Sequence, residues 1–162
     1  MPPMCRDKSK SGAEGEPQTK LWRISREALA AGEDTALSAL RAAGEIIKKG
    51  GLVAFPTETV YGLGGDALNA ESSKKIYAAK GRPSDNPLIV HIAETEALEN
   101  ICREIPDVAY GLAERFFPGP LTLILKKKDN VPPETTGGLS TVAVRFPSHP
   151  VAQAFIRAAG GY

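Results

Sequence analysis

The chain has 162 residues, 42% hydrophobic and 24% charged, which suits one globular domain with a substantial core. Lys and Arg number 20 against 19 Asp and Glu, a net charge of +1, so no global field points to DNA or to an anionic membrane. No apolar run approaches the roughly 20 residues of a membrane helix, and the opening MPPMCRDKSKSGAEGEPQTK lacks the apolar stretch of a secretory signal.

Residues 1–19 are rich in Lys, Ser, Gly, Glu and Pro and read as a disordered tail, leaving 20–162 as the domain. The two cysteines, Cys5 and Cys102, have no partner at metal-ligand spacing; they read as free thiols of a reducing, cytoplasmic protein. Lys20 to Ile24 carries a weak strand signal. Asp34 or Thr35 opens a helix that runs to Lys49, with Leu37, Leu40, Gly44 and Ile47 at helical spacing and Gly50-Gly51 as its stop. Leu52 to Phe55 is a short buried strand ended by Pro56.

The loop Thr57-Glu58-Thr59-Val60-Tyr61-Gly62-Leu63-Gly64-Gly65-Asp66 follows. It has neither the ending of a Walker A loop nor dinucleotide-fingerprint spacing. Asn69 caps a helix over 70–80, and Gly81 fits its C′ position. Leu88 to Ile92 is a buried strand interrupted by His91. A short helix over 94–101 precedes another from Pro106 or Asp107 to Phe116 or Phe117. Leu121 to Leu125 is a strand with Lys126-Lys127-Lys128 at its exit, a run that reads as a solvated edge. The loop over 129–140 is long enough to be mobile or functional. Thr141 to Pro147 alternates as a strand, with Thr141, Ala143 and Arg145 on one face, and a last helix ends at Ala159. Alternating helices and strands imply an α/β fold with a mixed sheet and helices on its faces.

The chemistry concentrates in Lys80-Gly81-Arg82-Pro83-Ser84-Asp85-Asn86-Pro87. Pro83 and Pro87 favour extended backbone, and an extended chain would put Lys80, Arg82, Ser84 and Asn86 along one side. Two cations, a hydroxyl and an amide suit a polyanion. Lys80 and Arg82 would equally serve as cations at a helix C-terminus. His91 fits a hydrogen-bonded core residue as well as a ligand contact. Arg145 fits either a binding strand or an exposed surface.

Taken together and in this order, the segments Pro56 to Leu63, Lys80 to Leu88, Pro118 to Thr122 and Thr141 to Pro147 resemble the YrdC-like family of threonylcarbamoyl-AMP synthases. The resemblance implies a twisted mixed sheet with a concave cationic pocket. It implies a reaction in which L-threonine, bicarbonate and ATP, with Mg²⁺, give threonylcarbamoyl-AMP and pyrophosphate. A partner transferase complex would then modify tRNA next to the anticodon. By the same resemblance Lys80 and Arg82 are catalytic, and together with Ser84, Asn86 and Thr141 they hold ATP. Thr59, His91 and Arg145 hold threonine, and no side chain is expected to hold metal. In the family a further strand and a Pro-Ser-Ala-Asn-type loop follow the position of Tyr162. The resemblance thus implies a domain whose C-terminal part is missing. Two rival readings are an RNA-binding module on the cationic face and a carbamoyl-adenylate-forming domain.

Overall fold

A computed structural model describes residues 19–162. Apart from Thr19, the expected tail falls outside the described residues, as does Cys5. Helix α3 (Ala70–Lys80) shows how local chemistry sets an element. Asn69 Oδ1 accepts from the backbone N–H of Glu71 at 3.0 Å, covering one orphan donor of the first turn. Gly81 ends the helix at φ 59° and ψ 31°, a left-handed cap that glycine adopts without a Cβ clash.

Two other helices, α2 (Asp34–Lys48) and α6 (Pro150–Ala159), pack on each other. Leu40, Ala43 and Ile47 of α2 meet Val151, Ala152, Phe155 and Ile156 of α6 in one apolar cluster with Phe55 and Ala93. Their close approach depends on Gly44, where an added Cβ would lie 2.3 Å from the Ala158 carbonyl oxygen. Lys20 to Ile24 forms no strand; a short helix, α1 (Arg26–Ala30), follows it instead. Ser25 Oγ caps α1 by accepting from Ala28 N–H at 3.0 Å, a capping signal that outweighs the weak apolar alternation before it.

The strands make two pieces. β1 (Val53–Phe55) and β2 (Gly62–Gly64) form an antiparallel hairpin, with Phe55 opposite Gly62. The sequence gives β2 as loop, because Gly-Leu-Gly has little strand propensity of its own. Pairing with β1 decides it, and the glycines make room for the Phe55 ring. A Cβ at Gly64 would lie 2.9 Å from that ring, and one at Gly62 would lie 3.2 Å away. The second sheet has the order β3-β5-β4. Its strands are β3 (Ile89–His91), β4 (Thr122–Lys126) and β5 (Thr141–Arg145). β3 runs parallel to β5 and β4 antiparallel. Val90, Leu123, Leu125, Val142 and Val144 face a second core with Leu98 and Ile101 of α4 (Ala97–Ile101) and Ala109 and Ala113 of α5 (Asp107–Phe116).

The long loop over 129–140 is anchored in the protein by Val131, Thr135 and Thr136, which are fully buried. Among the described residues no helix is long and apolar enough to cross a membrane.

The glycines separate packing from propensity. Gly44→Ala should lower stability by about 1–3 kcal/mol through overpacking. Gly111→Ala, with nothing within 4 Å of its Cβ, should raise it by about 0.5–1 kcal/mol through helix propensity. Thermal unfolding of both variants checks this; equal melting temperatures would refute the close crossing of α2 and α6.

Candidate functional site

Strand β5 is the centre of its sheet, and its alternation gives it two faces. Val142 and Val144 enter the core. The other face carries Arg145 beside His91 of β3 and Thr122 of β4, then Ala143 between Ile89 and Ile124, then Thr141 beside Lys126. No helix covers this second face fully, since Ile89 is 45% exposed and Ile124 70%. Thr141 shares the face with Arg145, but four residues of strand, about 13 Å, separate them.

Arg145 reaches back to the loop between β1 and β2. Its Nη2 donates to Glu58 Oε1 at 2.8 Å and to Thr59 Oγ1 at 3.1 Å. The loop is set by Thr57, whose hydroxyl donates to the Val60 carbonyl at 2.6 Å and accepts from the backbone N–H groups of Thr59 and Val60, each at 3.2 Å. With the Thr57 hydrogen used in this way, the 3.1 Å contact between the Thr57 and Thr59 hydroxyls has Thr59 as donor. Thr59 therefore accepts from Arg145 and donates to Thr57, and what it has left for a ligand is a lone pair. Burial pushes the Glu58 carboxyl up. The Arg145 hydrogen bond and charge, with backbone N–H groups, outweigh this and hold it below the usual carboxylate value.

His91 stands between this group and the cleft. Its ring meets the Phe55 ring edge-on at 5.6 Å. Its Nδ1 lies 3.1 Å from the Ile89 carbonyl oxygen, which can only accept, so Nδ1 carries the proton and Nε2 is left as an acceptor. Burial pushes the His91 pKa down. The Ile89 carbonyl and Glu58 oppose this, while the charges of Arg145 and Lys80 add to it, and the net direction is down. The imidazole is neutral at pH 7.

The stretch after α3 is not an extended ribbon. Ser84 and Asp85 form a turn and Asn86 a bend. Pro83 pre-sets a turn φ, and Ser, Asp and Asn supply turn hydrogen bonds, so turn chemistry overrides the extended bias. Lys80, Arg82 and Asn86 line a cleft of about 310 Å³ with His91 and Phe55, whereas Ser84 lies on the exposed turn and Thr141, Thr59 and Arg145 do not line it. Tyr77, to which sequence reading assigned no role, anchors the turn: its hydroxyl donates to the Asn86 carbonyl at 2.9 Å. The anchored loop over 129–140 backs it from behind. Leu88 N–H donates to the Thr135 carbonyl at 3.0 Å, and a Cβ on Gly137 would lie 2.8 Å from the Asp85 carbonyl oxygen.

Glu58 is the other residue that sequence reading missed. The motif contains it, but a contact to Arg145 across 87 residues leaves no local trace. A hydroxyl-rich loop holding one acid, paired with a strand holding one cation, is the signal that could have found it.

Comparison with known proteins places this geometry. The Sua5/YciO/YrdC family model, described as telomere recombination, matches residues 45–162. A threonylcarbamoyl-AMP synthase of Pyrococcus abyssi is 59% identical over 113 residues, covering 70% of this chain and 33% of the relative. One from Bacillus subtilis is 56% identical over 119 residues, covering 73% of this chain and 34% of the relative. The crystal structure of P. abyssi Sua5 complexed with L-threonine superposes with a TM-score of 0.76 at 54% identity, covering 77% of this chain and 37% of that one. This chain thus spans about a third of the length of these relatives. By its family-model match and its likeness in sequence and fold, the chain belongs to the Sua5/YciO/YrdC family.

Proposed function

We propose that this chain carries the ATP- and threonine-binding cleft of an L-threonylcarbamoyladenylate synthase. L-threonine, bicarbonate and ATP would give threonylcarbamoyl-AMP and pyrophosphate. The observation that carries this reading is the junction at His91. On one side stand Arg145 and Thr59, and on the other a cleft edged by Lys80, Arg82 and Asn86. A cation beside two acceptors, His91 Nε2 and the Thr59 lone pair, suits a ligand with one carboxylate and hydroxyl or amine donors. Threonine is such a ligand. The cationic cleft edge suits a triphosphate.

In this reading the threonine amine and bicarbonate first yield an N-carboxylate and water. A carboxylate oxygen of that adduct then attacks the α-phosphorus in line as pyrophosphate leaves. Two anions must be brought together, so positioning and charge screening are the work of the protein. Lys80 and Arg82 screen the phosphates, with Asn86 as a neutral partner. Arg145 orients the amino acid, and Thr59 and His91 fix its donors. Ser84 and Thr141 stay as outer nucleotide contacts. Among the described residues no cluster of three or more His, Cys, Asp or Glu could cage a metal. Mg²⁺ fits here as an ion carried by the triphosphate itself, and no step is routed through a protein-held ion.

The product would feed a transferase complex that modifies tRNA next to the anticodon, in the cytoplasm. Residues 20–162 form the domain in this reading. Direct RNA binding through the lysine run gains little support. Lys126 pairs with Glu104, Lys127 Nζ donates to the Val131 carbonyl, and Lys128 Nζ donates to the Glu99 carbonyl. A salt titration separates the alternatives, since phosphate-backbone contacts give a steep loss of affinity with salt.

Pyrophosphate release with ATP and bicarbonate should depend on L-threonine and fall sharply with L-serine. Release that ignores the amino acid would overturn the reading. Lys80→Ala and Arg82→Ala should each weaken ATP binding by about tenfold or more, the loss of one charge-assisted contact, with an unchanged circular dichroism spectrum. Unfolding of either variant would return that residue to a helix-end role.

The His91 pKa gives a pH test. Because its folded pKa is depressed, the stability tied to neutral His91 is fully present above the ordinary value of about 6.5. It is lost as pH falls through the folded value. L-threonine affinity should be flat from pH 8 through about 6.5 and decline only as pH falls through the lower folded value, where Nε2 ceases to be an acceptor. An NMR titration of the His91 ring beside calorimetry at each pH checks the match; a ring titrating above 6.5 would refute it.

A further inference from the structure

Among the described residues, Glu58–Arg145 is the one ion pair in which both side chains are less than a quarter exposed, at 20% and 12%. Its geometry is unusual in another way. A carboxylate and a guanidinium left to themselves close into two parallel hydrogen bonds. Here only one forms. Glu58 Oε2 and Arg145 Nε are both buried with no hydrogen-bond partner. The backbone N–H groups of Glu58 and Ser148 lie near enough to favour the carboxylate charge without making a formed bond to it. What holds the guanidinium out of the two-bond arrangement is Nη2. Of its two hydrogens, one goes to Glu58 Oε1 and the other to Thr59 Oγ1. Thr59 in turn is fixed by the Thr57-centred turn. The fold thus sacrifices pairing strength for a set orientation.

Nη2 is saturated and Nε is closed in by protein. Nη1 makes no hydrogen bond to a described residue and is not among the buried unpartnered atoms, so it is the nitrogen presented outward.

We propose that Glu58 is a positioning residue for Arg145, fixing the guanidinium so that Nη1 alone meets a ligand carboxylate while Thr59 is held as an acceptor beside it. This rests on the reading above, in which Arg145 takes the carboxylate of the amino acid. Glu58 does not touch the ligand. Its Oε2 is buried, and it acts through Arg145 and Thr59. The groups whose charge reaches Glu58 or Arg145 are His91, on β3 beside Arg145, and His149, the residue before α6. Neither replaces Glu58 as the hydrogen-bond acceptor of Nη2.

The test compares Glu58→Ala, Glu58→Gln, Arg145→Gln and the Glu58→Ala/Arg145→Gln double variant in the 162-residue chain. Calorimetry with L-threonine and separately with ATP is run beside NMR of the arginine side-chain nitrogens. Glu58→Ala should weaken L-threonine binding about tenfold or more, the usual effect of losing a supporting partner, and leave ATP affinity within twofold. Glu58→Gln keeps the acceptor oxygen and should recover most of that loss. The double variant should bind threonine no more weakly than Arg145→Gln alone, because Glu58 has nothing left to position. Unchanged threonine affinity in Glu58→Ala, or an equal loss for both ligands, would overturn the proposal. If the unsubstituted chain binds no threonine, the functional reading fails. The positioning claim is then decided by NMR. Slowly exchanging Arg145 Nη2 hydrogens that disappear in Glu58→Ala support it, and signals that persist there refute it.

Discussion

A guanidinium cannot shed its proton, so Arg145 must be met by negative charge or oxygen wherever β5 puts it. The strand leaves no choice of place. Val142 and Val144 are committed to the core, and the strand period of two then sends Arg145 to the opposite face. Burying a charge there is costly unless it is paired. The pairing comes from the loop between β1 and β2, whose Thr57-centred turn holds Glu58 and Thr59 against the guanidinium. The hairpin and the sheet have separate hydrogen-bond ladders, and this one cation ties them at the site.

The second tie is apolar. Phe55 closes β1, lies across Gly62 and Gly64, and meets both the Phe155 ring of α6 at 5.1 Å and the His91 ring at 5.6 Å. One side chain thus belongs to the α2–α6 core and also sets a wall of the cleft. It also helps to bury the imidazole, and burial is the largest cause of the low His91 pKa. Packing in this protein is therefore not neutral scaffolding: the side chain that joins the α2–α6 core also lies against the imidazole whose pKa burial lowers.

Elements with local causes were legible in the sequence. Helix α3 has Asn69 and Gly81 at its ends, and both caps act within a few residues. The faces of β5 follow from alternation alone. What escaped was everything decided at a distance. Strand β2 exists because β1 offers a ladder to glycines that would not form a strand alone. The Glu58–Arg145 pair spans 87 positions, and no periodicity reports such a contact. The run Lys126-Lys127-Lys128 is the solvated edge that its charge suggests, with Lys126 and Lys128 exposed at the exit of an edge strand. What escaped is that Lys126 meets Glu104, Lys127 reaches the Val131 carbonyl and Lys128 the Glu99 carbonyl of α4.

The stretch from Lys80 to Asn86 was legible in composition and misread in shape. Its residue types fit an anion, and three of the four line the cleft. The extended reading failed because two tendencies compete there. Proline disfavours helix before it, but Pro-Ser-Asp-Asn is also a turn sequence. Local propensity does not choose between them. The choice is made by neighbours: Tyr77 holds the Asn86 carbonyl from α3, and Gly137 admits the Asp85 carbonyl at a distance that any side chain would deny. Since Gly137 itself sits at φ 59°, a conformation that L side chains resist, two separate constraints fix that glycine. Both serve the turn that carries Asn86 and, beside it, Arg82. The loop over 129–140, anchored by its buried residues, is thus the back of the cleft. Its full burial at Thr135 and Thr136 gives the anion-facing residues a rigid support that a turn on the surface would otherwise lack.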